Sequence, residues 1–147
     1  MDRSQIKWRA IAYWKKNIEA LEKMDWQQYT QELDRHHRLT FGHLLASHPE
    51  WPQIFGFDCP YCQYIDEHQN DFEWSTTPCE GCPLYQRYPD AEDEEARSRY
   101  SCCKAWETVH RAFTNPRLYA KSLVKQTMEN MLHYIERNDD NWNWKEV

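Results

Sequence analysis

The chain has 147 residues with 18 basic and 24 acidic side chains, a net charge of −6, and eight Trp, nine Tyr and five Phe against only three Gly. That length suits one domain with a modest core, and the rings let a few residues bury much area, about 150–250 Å2 each. No basic stretch followed by an apolar run opens the sequence, and no apolar run reaches the roughly 18 residues of a membrane span, so the expectation is a cytoplasmic protein that makes no membrane contact.

The charge is uneven. Residues 1–48 carry eight basic and six acidic side chains, residues 49–100 three and twelve, and residues 101–147 seven and six. The middle third is therefore at −9, which bears on every partner considered below.

In chain order, residues 4 to about 24 read as a helix with Ser4 as N-cap. Ile11, Trp14, Ile18 and Leu21 form one apolar stripe, and Ala10, Tyr13 and Ala20 a second. Arg9, Lys15 and Lys16 stand beside Trp8 and Trp14, a pattern that would suit a phosphate backbone with stacked bases. Asp25 and Gln28 make a capping-box-like start for a second helix from Trp26 to about Ser47, closed by Pro49. The short join at Met24 and Asp25 predicts that these two helices pack as an antiparallel hairpin. Four histidines, His36, His37, His43 and His48, lie on the second helix, but no pair has the i, i+4 spacing of a helical metal site.

Trp51, Ile54, Phe55 and Phe57 then lead into the stretch that carries the chemistry. Cys59-Pro-Tyr-Cys62 and Cys79-Glu-Gly-Cys82 are two Cys-x-x-Cys pairs with sixteen residues between them, inside the window that reads as a zinc site. Zn2+ takes four thiolates in a tetrahedron at about 2.3 Å, and two cysteines separated by two residues can reach one ion from a single turn. Pro60 fixes φ in the first turn, and Gly81 can take positive φ in the second. A closed shell of four thiolates leaves no position for water or substrate, so a structural Zn2+ is expected and catalysis is not. An iron–sulfur cluster on the same four cysteines is the alternative cofactor. His68, between the pairs, and Cys102 and Cys103, beyond them, are the candidate substitute ligands. Between the pairs, residues 64–74 fit either a short helix or a ribbon.

After Pro83, the run Asp90-Ala-Glu-Asp-Glu-Glu-Ala96 suits a helix N-terminus or an acidic docking face. A helix carrying Trp106, Val109 and Phe113 on one side follows Cys102 and Cys103. Asn115-Pro116 reads as a cap with proline at the first helical position, opening a last helix to about Arg137 with Ala120, Val124, Met128, Met131 and Ile135 inward. Arg117, Lys121 and Lys125 line another of its faces. The tail holds Trp142 and Trp144, which are expected to fold back on the body or to anchor a partner.

Two resemblances follow from these motifs. Cys59-Pro-Tyr-Cys62 is similar to the active-site tetrapeptide of glutaredoxins over those four residues, which implies a thiol–disulfide redox role for Cys59 if a buried strand precedes it and a helix follows. The longer pattern of Cys59-x-x-Cys62, Cys79-Glu-Gly-Cys82-Pro83 and a cysteine some twenty residues on resembles small cysteine-rich accessory proteins of tailed bacteriophages, over about residues 59–103. That likeness implies a phage-encoded protein working in the host cytoplasm and names no reaction.

The expected fold is mainly α: a helical hairpin (4–48), a four-cysteine zinc module resembling a zinc ribbon (49–89), two C-terminal helices (90–137) and a tail (138–147) in one domain. The expected function is a small acidic zinc-binding protein, not an enzyme, acting by protein–protein interaction as a modulator or inhibitor of a host enzyme. Nucleic-acid binding through the basic first and last helices is the alternative. The acidic surroundings of the zinc module disfavour phosphate contact there, since such contacts need Lys and Arg. The second alternative is the redox role.

Overall fold

The computed structural model describes residues 3–35, 41–54, 59–68, 72–73, 82–84, 104–138 and 145–146. The architecture is mainly helical, as the periodicities predict: α1 (Arg3–Lys23), α2 (Trp26–Asp34), α3 (Phe41–Ser47), α4 (Pro60–Glu67), α5 (Lys104–Thr114) and α6 (Lys121–Arg137). Two short strands, β1 (Phe72–Glu73) and β2 (Lys145–Glu146), pair antiparallel with Phe72 opposite Glu146 and Glu73 opposite Lys145. The tail thus returns to the middle of the chain, though Trp142 and Trp144 lie outside the described residues. Among the described residues no helix is long and apolar enough to cross a membrane.

Helix α1 is the central element. Its inward face is Ile6, Ala10, Trp14, Asn17 and Leu21, all buried, one step round from the stripe expected, so that Ile11 and Ile18 are only partly covered. The shift follows from what α1 packs on: its main neighbours are α6 and then α4, while α5 packs on α6. The expected antiparallel pairing of α1 with α2 gives way to this arrangement.

The expected second helix is two helices. Asp25 caps α2, its side chain accepting from the Gln28 backbone N–H at 3.1 Å, but α2 closes at Asp34 and α3 opens at Phe41. Tyr29 stacks on Phe113 at 4.8 Å and Phe41 meets the same ring at 6.1 Å. A straight helix would set residues 29 and 41 about 18 Å apart along its axis, so two separate helices allow both rings to reach one partner. The Tyr29 hydroxyl also donates to the Phe113 carbonyl at 2.6 Å in the buried core. Burial pushes its phenol pKa well above the ordinary range.

The last helix begins later than Asn115-Pro116 suggests. The Asn115 amide donates to the Arg111 carbonyl at 2.7 Å, so its side chain serves the C-terminal end of α5 instead of opening a new helix. Its own carbonyl accepts from the Leu118 and Tyr119 N–H groups in a single turn, and extended Ala120 is the N-cap of α6. Ala120 is exposed, while Val124, Met128, Met131 and Ile135 are buried as expected. Val109 and Phe113 of α5 are buried too, with Trp106 partly covered.

Candidate metal centre

The first cysteine pair sits at the start of α4. Cys59 is its N-cap, extended at φ −60° and ψ 132°, with Pro60 opening the first turn. Proline is at home there because its missing N–H would have no intrahelical partner. One turn on, the Cys62 thiol is hydrogen bonded to Cys59. That bond, then burial, then the neighbouring Cys59 charge, push the Cys62 thiol pKa upward. Cys59 is 2% exposed and belongs to the same buried core as Tyr61, Tyr64 and Ile65 of α4, with Cys62 packed against it. The choice left open for residues 64–74 is settled in part: helix as far as Glu67, and β1 at residues 72–73.

The second pair is represented by Cys82, since Cys79 lies outside the described residues. Cys82 begins a turn through Leu84, and the Leu84 N–H points at the Cys82 sulfur at 3.4 Å. That turn is pinned to the end of α6. The Tyr134 hydroxyl donates to the Leu84 carbonyl at 3.2 Å, and the Asn138 amide donates to the Pro83 carbonyl at 2.8 Å. The Asn138 carbonyl in turn accepts from Lys7 of α1 at 2.7 Å. Leu84 is buried in the core that holds Cys59, and Cys62 and Cys82 both pack against it.

The structure therefore brings Cys59 and Cys62 together and hangs the Cys82 turn on the same core. Cys59, Cys62 and Cys82 are free thiols, which as thiolates are the soft donors zinc prefers. Among the described residues, however, no three His, Cys, Asp or Glu side chains gather as a metal-holding group. Cys82 thus does not join the first pair in that way, and Cys79, Cys102 and Cys103 lie outside the described residues. His68, the substitute ligand considered, stacks on Tyr64 at 4.1 Å with its Nδ1 3.0 Å from the Tyr64 carbonyl. His48 lies flat on Trp51 at 3.8 Å with its Nδ1 3.2 Å from Glu50, and His43 is exposed. His36 and His37 are outside the described residues.

Compared with known families, characterised proteins and solved structures, the chain matches none.

The two basic faces separate. On α6 and the turn before it, three cations are engaged within the fold: Lys121 donates to the Met24 and Glu22 carbonyls at the end of α1, at 2.7 and 3.0 Å. Lys125 pairs with Glu22 at 2.6 Å and Arg117 grips both carboxylate oxygens of Asp34. On α1, Trp8, Arg9, Lys15 and Lys16 are all exposed. The acidic run 90–96 lies outside the described residues.

The sequence reading missed Tyr134 and Asn138, which hold the Cys82 turn, and Gln53, which ties the turn after α3 to α1. Asn138 had a visible signal, as the first polar residue after a periodic helix. Gln53 had none.

Proposed function

We propose that this chain is a small acidic zinc-binding protein that acts by protein–protein interaction, as a phage-encoded modulator of a host enzyme. Cys59, Cys62, Cys79 and Cys82 are the ligands of one structural Zn2+, and the −9 middle segment is the partner-facing region. What supports the metal part is one observation: the Cys59 and Cys62 thiols adjoin on the core that also carries the Cys82 turn, with its N–H directed at sulfur. A bound cation would let these half-buried sulfurs carry charge, and the free energy of binding would add to that of folding, on the order of 10 kcal/mol or more.

Elemental analysis of anaerobically purified protein should give one zinc per chain, lost together with a large part of the thermal stability in Cys62→Ser and Cys79→Ser. Protein that melts unchanged without metal would refute the zinc role, and a brown, iron-containing preparation would assign the ligands to a cluster. For the partner, specific retention of one host enzyme should weaken when Glu92, Asp93 and Glu94 are changed to Lys.

A second reading has its own observation. Cys59 caps a helix with Pro60 behind it and Cys62 within reach, as a dithiol redox site would have it. Against it, the described residues before Cys59 contain no strand, and Cys59, which would have to attack the substrate, is only 2% exposed. Turnover of a disulfide substrate by metal-free protein, abolished in Cys59→Ser, would favour it over zinc.

A further inference from the structure

We infer that the exposed face of α1 is a binding surface for single-stranded nucleic acid, with Trp8 as the stacking platform and Arg9, Lys15 and Lys16 as the phosphate contacts. This goes beyond the metal reading and does not depend on it. Trp8 is 71% exposed, whereas the other aromatic side chains of described burial are buried or packed against the core, and among the described residues it has no ring or hydrogen-bond partner. An indole left in water forgoes the burial that normally recruits it.

The helix fixes what surrounds that ring. At about 100° per residue, Lys15 lies within roughly 20° of Trp8 and about 10 Å along the axis, with Ala12 between them. Arg9 and Lys16 share the neighbouring column, about 80–100° round. Arg9, Lys15 and Lys16 are exposed and form no ion pair among the described residues. The face is not purely basic: exposed Glu19 stands one turn beyond Lys15. Three cations against one acid still leave it positive in a chain of net charge −6. The contrast with α6 and the turn before it is informative, because Lys121, Lys125 and Arg117 satisfy Glu22, Asp34 and the end of α1. Among the described residues Arg9, Lys15 and Lys16 serve no such purpose, unlike Lys7 on the same helix, which donates to the Asn138 carbonyl.

A single flat ring among cations and an alanine is a poor protein hot spot, which needs surrounding apolar contacts to exclude water. It is a sufficient site for an unpaired base, because base–aromatic stacking is sequence-tolerant and the adjacent charges can track the strand. A duplex would hide the base faces that the indole needs.

The test uses the full chain as purified, with fluorescein-labelled dT20 and rU20 in anisotropy titrations at 20 mM salt. Binding is expected, with log K falling against log salt at a slope of about −2 for three phosphate contacts. Trp8→Ala should weaken it about 5- to 150-fold, the equivalent of about 1–3 kcal/mol of stacking. Trp8→Tyr should restore most of the loss, and Lys15→Glu with Lys16→Glu should weaken binding further and flatten its salt dependence. Circular dichroism melts of these surface variants should overlay the wild type, which separates lost contact from lost fold. No binding to either oligonucleotide, or binding indifferent to Trp8→Ala, would overturn the proposal. Tighter binding of a poly-glutamate peptide with the same dependence on Trp8 would overturn it in favour of an acidic protein partner.

Discussion

Gln53 does more than its exposure and position in a loop suggest. Its side-chain amide lies 3.0 Å from each of the Leu45, His48 and Trp51 carbonyls. Its backbone N–H donates to Asn17 Oδ1 at 3.2 Å and its carbonyl accepts from the Tyr13 hydroxyl at 2.9 Å. One residue thus closes the turn after α3 and ties it to α1 on the way to Cys59. Gln53→Ala should cost about 1–3 kcal/mol, because the Trp51 carbonyl loses its amide donor while the Leu45 and His48 carbonyls keep only the His48 and Trp51 N–H groups. Gln53→Glu should cost more at neutral pH, since it brings a carboxylate against three carbonyl oxygens. Urea unfolding of the two variants checks the order; equal stability would mean that water satisfies these carbonyls. Tyr29→Phe is expected to lose about 1 kcal/mol by the same reasoning, as the buried Phe113 carbonyl is left without its hydroxyl donor.

Among the elements, the pairing of α1 with α6 depends on a cation placed at a helix end. The last carbonyls of α1 have no intrahelical partner, and the Lys121 ammonium supplies two of them while favouring the negative end of the dipole. Lys121→Met should lower stability by about 1 kcal/mol, whereas Lys16→Met, on the exposed face of α1, should leave the melting temperature within error. Equal losses in both would mean that general charge, not the end of α1, sets the effect. A basic stripe read from spacing alone does not reveal this difference: Arg117, Lys121 and Lys125 look like a binding edge until Glu22, Asp34 and the α1 carbonyls are placed opposite them.

At the scale of the whole molecule, three carboxylates among the described residues lie below their ordinary values: Glu22 through its hydrogen bond to Lys125, Asp34 through its hydrogen bond to Arg117, and Glu50 through its own backbone N–H and then His48. A depressed carboxylate stabilises the fold above its unfolded-state value, 4.5 for Glu and 3.8 for Asp, and loses that contribution as pH falls through the lower folded-state value. The melting temperature should therefore fall as pH drops below about 5, and the triple variant Glu22→Gln, Asp34→Asn, Glu50→Gln should show a shallower decline. All three groups are fully exposed, so the difference should be small and should shrink further in 0.5 M salt. A slope unchanged by the substitutions would place the acid sensitivity elsewhere, with the proposed thiolate ligands as the first suspects.

The sequence by itself determined the helical class, the extents of α1 and of the C-terminal end of α6, the Asp25 cap, and the inward face of α6 from Val124 to Ile135. Each of these is local: a period of 3.6 residues, or one side chain reaching three residues along. Only the tertiary structure decided that α1 packs on α6 and α4 and not on α2, and that Arg117, Lys121 and Lys125 are engaged while Arg9, Lys15 and Lys16 stay exposed. Those outcomes turn on which distant group meets each side chain, and a carbonyl or carboxylate some hundred residues away leaves no periodic trace in the chain.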